Sequence, residues 1–431
     1  MGEQMAETSS GASSTAPDRI SLIAIFGERP GIFFLCLTVW TLTNMDQALF
    51  GYAIPGILAE FGLPLQTIGV VLTISFATAT GLVIMSGVAA DRWGRGLVLS
   101  ALLFWSAVFV GLQGFAGGII ALTLFRALGF GLGAGLSPIT NALVVESATP
   151  RYRGIAMGLL QCGYPLGWLL ASLAAAPLLD EYGWRSVCFV AFLVLPLVVP
   201  IAWLLGRYGV ARTPASQNLA APQAGSRGQG AIAILFSAPY RRMTLASMGI
   251  FFMFGGAYSG SAFFFPTFFT QERGYSQADA ASLVGLSNGI AVLGYLGAAF
   301  VGEFVTTRRN VFVIWCLSGA AALAGLLWLS ATRTQDLVWY GVTAALFFGS
   351  QAVVAVFVAE MYPARIRATA LAACASAPLS LGFAVFPLAV PVAVAEVGWR
   401  GGLSIVVIPL LVGTGLIALL LPNRASGESV D

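Results

Sequence analysis

In 431 residues the chain carries 58% hydrophobic and only 9% charged side chains, with a mean hydropathy of +0.88 and a net charge of +3. A soluble domain carries about 25% charge, so a polytopic membrane protein is expected, and +3 is too little charge to imply a nucleic-acid partner. There is no His and all 21 basic residues are Arg, which excludes imidazole proton relays, Lys Schiff bases and Walker-type phosphate loops and leaves Asp and Glu for any proton chemistry.

Residues 1–20 are rich in Ser, Thr and Ala, lack the basic start and apolar centre of a signal peptide, and read as a disordered tail. Apolar runs long enough to span a ~30 Å hydrocarbon core follow at 31–53, 66–90, 97–116, 118–145, 154–178, 186–206, 243–269, 281–302, 310–331, 337–359, 368–393 and 401–421. The expected fold is therefore an all-α membrane protein of twelve transmembrane helices. Six fall in an amino-terminal bundle, 21–206, and six in a carboxy-terminal bundle, 242–421. The stretch 207–241, rich in Gly, Ala, Gln, Pro and Arg, reads as a linker, and 422–431 as a tail. All five cysteines lie inside apolar runs, as small packing residues do.

With the amino end inside, sixteen arginines fall in cytoplasmic segments, four on the opposite side, and one, Arg126, within a span. That bias places both termini and the linker in the cytoplasm. The bundles also repeat. Glu146-x3-Pro150-x2-Arg153 returns as Glu360-x2-Pro363-x3-Arg367, and Glu181-Tyr-Gly-Trp-Arg185 as Glu396-Val-Gly-Trp-Arg400, at offsets of 214 and 215. An even number of spans per half keeps the copies parallel, an arrangement whose site lies between the halves at mid-depth.

Two charges fall where hydrocarbon is expected. Asp46 lies in the first span and Arg126 in the fourth. A carboxylate at bilayer depth costs roughly 2.5–3.5 kcal/mol on insertion scales, so each needs a partner, a proton or water. At 1.5 Å per residue they sit about 22 and 30 Å from the cytoplasmic ends of their spans, one to two turns apart. Either they form a structural ion pair, or they are a proton carrier and an anion seat, since a guanidinium binds a carboxylate through two parallel hydrogen bonds.

The loop after the second span reads Gly87-Val-Ala-Ala-Asp91-Arg92-Trp-Gly94-Arg95. Gly87 allows close helix packing, Gly94 a tight turn, and Asp91 with the arginines can bond between helix ends and release when the halves rock. These residues, with Glu146, Arg153, Glu360 and Arg367, are expected to gate the protein. The nine-residue signature resembles the cytoplasmic loop of the major facilitator superfamily. The glycine-rich fourth span and the fifth, with Gln161-Cys-Gly163-Tyr-Pro165-Leu-Gly167-Trp168, look like that superfamily's metabolite:H+ symporter branch, which carries aromatic acids, sialic acid and lactate. The resemblance implies a proton-coupling role for Asp46 and anion binding for Arg126. It departs from the branch at Thr43, where aromatic-acid carriers tend to have a second Asp, and at Gln47, where organic anion:cation symporters often have Arg.

At the repeat offset Arg126 corresponds to Tyr340, and at an offset near 212 Asp46 corresponds to Tyr258, so charges in one half are replaced by aromatic or neutral polar groups in the other. Tyr258, Asn288, Tyr295 and Gln351, with Gln161, are the expected substrate contacts, because polar ends at depth need partners. The phenylalanines of the seventh span are expected to face lipid or neighbouring helices. The expectation is a secondary active transporter that couples a small organic anion, a monocarboxylate, to H+ by alternating access. A monomer with no cofactor or metal is expected, in a bilayer that an Arg-, Ala- and Gly-rich, Lys-free composition suggests is a bacterial inner membrane. The alternative is a proton-coupled drug or metabolite efflux antiporter of the same fold. The broken Gly-Pro pair at Gly163-Tyr-Pro165 and the cation at Arg126 weigh against it. An enzyme is not expected, because no nucleophile–base pair or metal-ligand cluster is present.

Overall fold

The computed structural model describes residues 25–27, 29–210, 230 and 233–424; the expected amino-terminal tail and most of the 207–241 linker and 422–431 tail lie outside the described residues. Every regular element among the described residues is helical. In chain order they are α1 Pro30–Phe61, α2 Leu65–Trp93, α3 Arg95–Leu112, α4 Ile119–Ala134, α5 Leu136–Ser147, α6 Arg153–Gln161, α7 Gly163–Phe189 and α8 Leu195–Arg207 in the first half. The second half holds α9 Ala238–Ser259, α10 Phe265–Gln271, α11 Gln277–Phe304, α12 Arg308–Trp328, α13 Arg333–Leu346, α14 Gln351–Ala359, α15 Ala364–Ala370 and α16 Ala377–Leu419.

Nine helical stretches among the described residues are long and apolar enough to cross a membrane. Two of them, 153–207 and 371–419, run to 55 and 49 residues, about twice what ~30 Å of hydrocarbon requires. Each is divided by a glycine in a conformation essentially reserved for glycine: Gly183 (φ 71°, ψ −179°) and Gly398 (φ 74°, ψ 175°). Adding α9 with α10 accommodates the expected twelve passes. Several passes are interrupted at mid-depth: α4/α5 at Gly135, α6/α7 at Cys162, α13/α14 at Phe347–Ser350, and α15/α16 by a π-helical turn at Leu371–Ser376. Irregular backbone at that depth is tolerated where protein or a cavity surrounds it.

The repeat read from the sequence is visible in the packing. Helix α7 lies on α1 through Gly163 and Gly167, whose missing side chains admit the backbone of Thr41 and Met45. In the second half α16 lies on α9 in the same way, with Gly382 against Phe252 and Gly256. At the arginine-rich end, Arg95 pairs with Glu146, and 213 and 214 residues later Arg308 pairs with Glu360 and also with Glu303. At the opposite end the two Gly-Trp-Arg turns form matching clamps. Trp184 Nε1 donates to Glu60 (2.8 Å) and Arg185 pairs with it. Trp399 Nε1 donates to Gln271 (3.2 Å), and Arg400 pairs with Glu272 (2.8 Å). Close by, Asp336 is buried between Arg273 Nε (3.3 Å) and the Tyr275 hydroxyl (2.6 Å). Burial and that bond push the Tyr275 phenol up to about 12.

The halves meet along two seams. On one flank α6 and α7 run antiparallel to α11 in a single register. Asp180 accepts from the Ala278 amide, Ser172 donates to Ala281 and fills the space over Gly285, Gly158 lies on Ala299, and Gly154 lies against Arg308 and Glu303. On the other flank α2 meets α16 through Gln66–Pro391, Gly69–Pro387, Thr73–Ala384 and Phe76–Phe383. That seam runs from the clamp end only to mid-depth, where Thr80 and Gly81 on α2 and Ser376 and Ala377 opposite are exposed.

Candidate functional site

Near the centre of α1, Asp46 is 1% exposed, and Arg126 on α4 is 0% exposed. They are near enough to interact electrostatically but are not an ion pair. Neither carboxylate oxygen of Asp46 nor any guanidinium nitrogen of Arg126 has a hydrogen-bond partner. The guanidinium instead lies among aromatic faces, its Cζ 4.3 Å from the ring centre of Phe50, 4.8 Å from Phe130 and 5.4 Å from Phe263. Cation–π attraction is worth about 2 kcal/mol when desolvated. It does not replace five N–H bonds, and a buried charge without hydrogen bonds is costly.

The local sequence explains the cage. Phe50 follows Asp46 by four residues and Phe130 follows Arg126 by four, so each ring covers the turn beside its charge. Phe263 comes from the segment between α9 and α10 in the other half, so Arg126 sits at the interface between the bundles. Phe263 also touches Trp168 (5.7 Å) and Phe76 (6.1 Å), and Trp168 lies 6.0 Å from Tyr164. The result is an aromatic floor between the halves, lined by both.

The expected neutral contacts lie on α6, α9, α11 and α14. Tyr258 on α9 is buried and meets Tyr164 edge-on at 5.4 Å. On α11, Asn288 donates to Val284 O (2.9 Å), while its carbonyl Oδ1 has no partner. The Tyr295 hydroxyl donates to Gln351 Oε1 at 3.4 Å. Gln161 is half-buried at the end of α6, next to the break at Cys162. Of the eight phenylalanines of the seventh pass, all but Phe252 are buried. They therefore pack among neighbours and not against lipid.

The expected gating residues divide. Gly94 adopts φ 95° at the α2–α3 turn and Arg95 pairs with Glu146. Asp91 and Arg92 are exposed, and among the described residues neither enters an ion pair. Gly87 corrects an expectation: a Cβ there would meet nothing within 4 Å, so no close helix packing occurs at it. Arg153 is exposed, and Arg367 Nε donates to Tyr362 O (3.2 Å), while Glu360 takes Arg308 as its partner. Gly154, beside Arg153, is where the Arg308 cluster touches the other half.

Phe50, Phe130, Phe263, Tyr164, Trp168 and the polar end of Tyr340 join the site without being among the residues expected there. The four-residue spacing from each deep charge could have found the first two, and the repeat match to Arg126 pointed to Tyr340.

A family model described as Major Facilitator Superfamily matches residues 32–357. The 4-hydroxybenzoate transporter PcaK of Pseudomonas aeruginosa is 25% identical over 387 residues, covering 82% of this chain and 85% of its own length. The gallate transporter of Pseudomonas putida is 27% identical over 365 residues, covering 78% and 80%. Among solved structures, a bacterial homologue of the human lysosomal transporter Spinster, inward-facing and unoccupied, superposes with a TM-score of 0.66. It is 18% identical, and the match covers 91% of this chain and 95% of that one; that likeness concerns the fold.

Proposed function

The chain belongs to the Major Facilitator Superfamily, and from that premise we propose that this membrane transporter is a proton-coupled symporter of a small organic anion, a monocarboxylate. The observation that carries the proposal is Arg126, a wholly buried guanidinium between the two bundles with three nitrogens lacking any partner in the protein. A carboxylate satisfies it with two charge-assisted hydrogen bonds, and the aromatic faces of Phe50 and Phe263 suit a flat, apolar body. The relatives named as 4-hydroxybenzoate and gallate transporters support a cargo of that kind.

Asp46, one turn from Phe50, is assigned the proton. An anion cancels the charge of Arg126, and a proton cancels that of Asp46. The site carrying both is neutral and is the cheapest form to turn through a low-dielectric passage. Empty, it holds two opposite charges that sum to zero. Loading with one partner alone leaves a net buried charge, which is the energetic basis for coupled movement.

We place the arginine-rich end, with the Arg95–Glu146 and Arg308–Glu360 pairs, on the cytoplasmic side of a bacterial inner membrane, and we take the monomer as the working unit. The test is uptake of 4-hydroxybenzoate and gallate into proteoliposomes with an imposed inward proton gradient. Accumulation above the external concentration, abolished by a protonophore, is expected. Accumulation indifferent to the protonophore overturns the coupling.

A further inference from the structure

Beyond the rings that surround Arg126, on α7, α11 and α13, three buried oxygens lack partners. Tyr340 is 0% exposed, Asn288 1% and Tyr164 5%, and neither tyrosine hydroxyl nor the Asn288 side-chain carbonyl has a hydrogen bond. The helices that carry them are packed together at this level: Gly341, beside Tyr340, lies against Ile290 of α11, and Gly289, beside Asn288, lies against Leu169 of α7. Tyr52 is already satisfied by its bond to Trp168 O (3.0 Å), and Tyr295 has Gln351. The unsatisfied groups are therefore a defined subset of the tyrosines.

The set bridges the halves, because Tyr164 belongs to α7 while Asn288 and Tyr340 belong to α11 and α13. It is joined to the cation end by ring contacts. Tyr340 lies 4.4 Å from Phe265, two residues from the Phe263 that covers Arg126, and Tyr164 reaches Phe263 through Trp168. Buried polar atoms at this depth are normally paired, so a cluster left open marks a place for a ligand's own polar atoms. The donor arithmetic adds a sign. Asn288 spends its NH2 on Val284 O and offers an acceptor, while each tyrosine can donate or accept.

We propose that Tyr340, Asn288 and Tyr164 form a second polar subsite, which seats a hydroxyl donor carried by the substrate at the end remote from its carboxylate. The preferred cargo is then a hydroxy acid with an apolar body between its two polar ends. The inference rests on the carboxylate seat at Arg126. A deoxy acid leaves the Asn288 and Tyr340 oxygens dry and unpaired, and sites built to hold a substrate hydroxyl reject analogues that lack it.

The test measures binding to the full-length purified protein for three matched pairs: benzoate and 4-hydroxybenzoate, cyclohexanecarboxylate and its 4-hydroxy form, and butyrate and 4-hydroxybutyrate. In at least one pair the hydroxy acid is expected to bind about tenfold or more tightly than its partner. Tyr340→Phe and Asn288→Leu should bring that ratio to within about threefold by weakening the hydroxy acid while sparing the deoxy acid, the two interactions being distinct. Using both variants guards against a fold defect in either, which would weaken both acids together. Binding of deoxy and hydroxy acids with equal affinity to the wild type, or an unchanged ratio in both variants, overturns the subsite and leaves the Arg126 seat standing. Binding of none of the six overturns the anion reading, and the subsite with it.

Discussion

The guanidinium of Arg126 lies 4.3 Å from the centre of the Phe50 ring, one helical turn past Asp46, and the two buried charged groups do not bond to each other. A structural ion pair closes to hydrogen-bond distance, because each partner then offsets the other's desolvation. Here both groups keep their bonding capacity, which favours the transport role for Asp46 and Arg126 over the structural one.

Arg126→Met therefore separates stability from function. Replacing buried ionic groups together with packed neutral ones is often neutral or stabilising by about 1–4 kcal/mol, so the substitution, made in an Asp46→Asn background that leaves no stranded carboxylate, should melt no lower than that background in detergent. Losing two charge-assisted hydrogen bonds at about 1.5–3 kcal/mol each should lower carboxylate affinity by about a hundredfold or more. Thermal melts alongside ligand titration check both halves of the statement. A variant that melts far lower would mark Arg126 as structural.

Asp46→Asn removes the ionisable group and keeps the shape. Counterflow of labelled acid at equal pH should persist, while accumulation under a proton gradient should fall to the equilibrium level. Full accumulation by this variant would remove Asp46 from the coupling. In the wild type, raising the external pH at fixed internal pH and clamped potential should reduce accumulation, since it lowers the inward proton gradient.

The charge pairs at the clamp end differ in worth because they differ in burial. Glu60 and Arg185 are 43% and 34% exposed, so solvent screens them; Glu60→Ala should cost about 0.2–1 kcal/mol. Asp336 is 2% exposed beside Arg273 at 10%. Asp336→Ala strands a buried guanidinium and should cost about 3–5 kcal/mol. Denaturation of the two variants in parallel checks the ordering.

Gly183 and Gly398 test the repeat through strain alone. Both have φ above +70° with ψ near 180°, and a Cβ at either would meet nothing within 4 Å. Alanine at each should destabilise by about 1–3 kcal/mol through backbone conformation, and by similar amounts in the two halves. Unequal costs would mean that the two turns, alike in sequence and geometry, are held differently.

Much of this architecture is legible in one sequence because bilayer thickness sets span length and the two Gly-Trp-Arg turns repeat in register. Asp46 and Arg126 stand out because charge in an apolar run is conspicuous. Their surroundings do not. Phe263 reaches Arg126 from the other bundle, and nothing local distinguishes it from Phe264 or Phe265. Arg308 lies in a loop that lacks the nine-residue signature of its counterpart, yet it holds both Glu303 and Glu360. Helix periodicity fixes neither choice, since both depend on contacts more than a hundred residues distant in the chain or on which of several equivalent arginines is nearest.

The two flanks between the bundles are unequal. One is fastened from Asp180–Ala278 to Gly154–Arg308, the other only from Gln66–Pro391 to Phe76–Phe383. A container fastened that way parts like a book along its spine. Spin labels straddling α6 and α11 should keep a nearly constant separation as the carrier turns over, whereas labels at Gly81 and Ala377 should swing through the widest arc. Cargo at the arginine-rich end would then leave sideways, past the fore-edge between α2 and α16, instead of straight down the central axis.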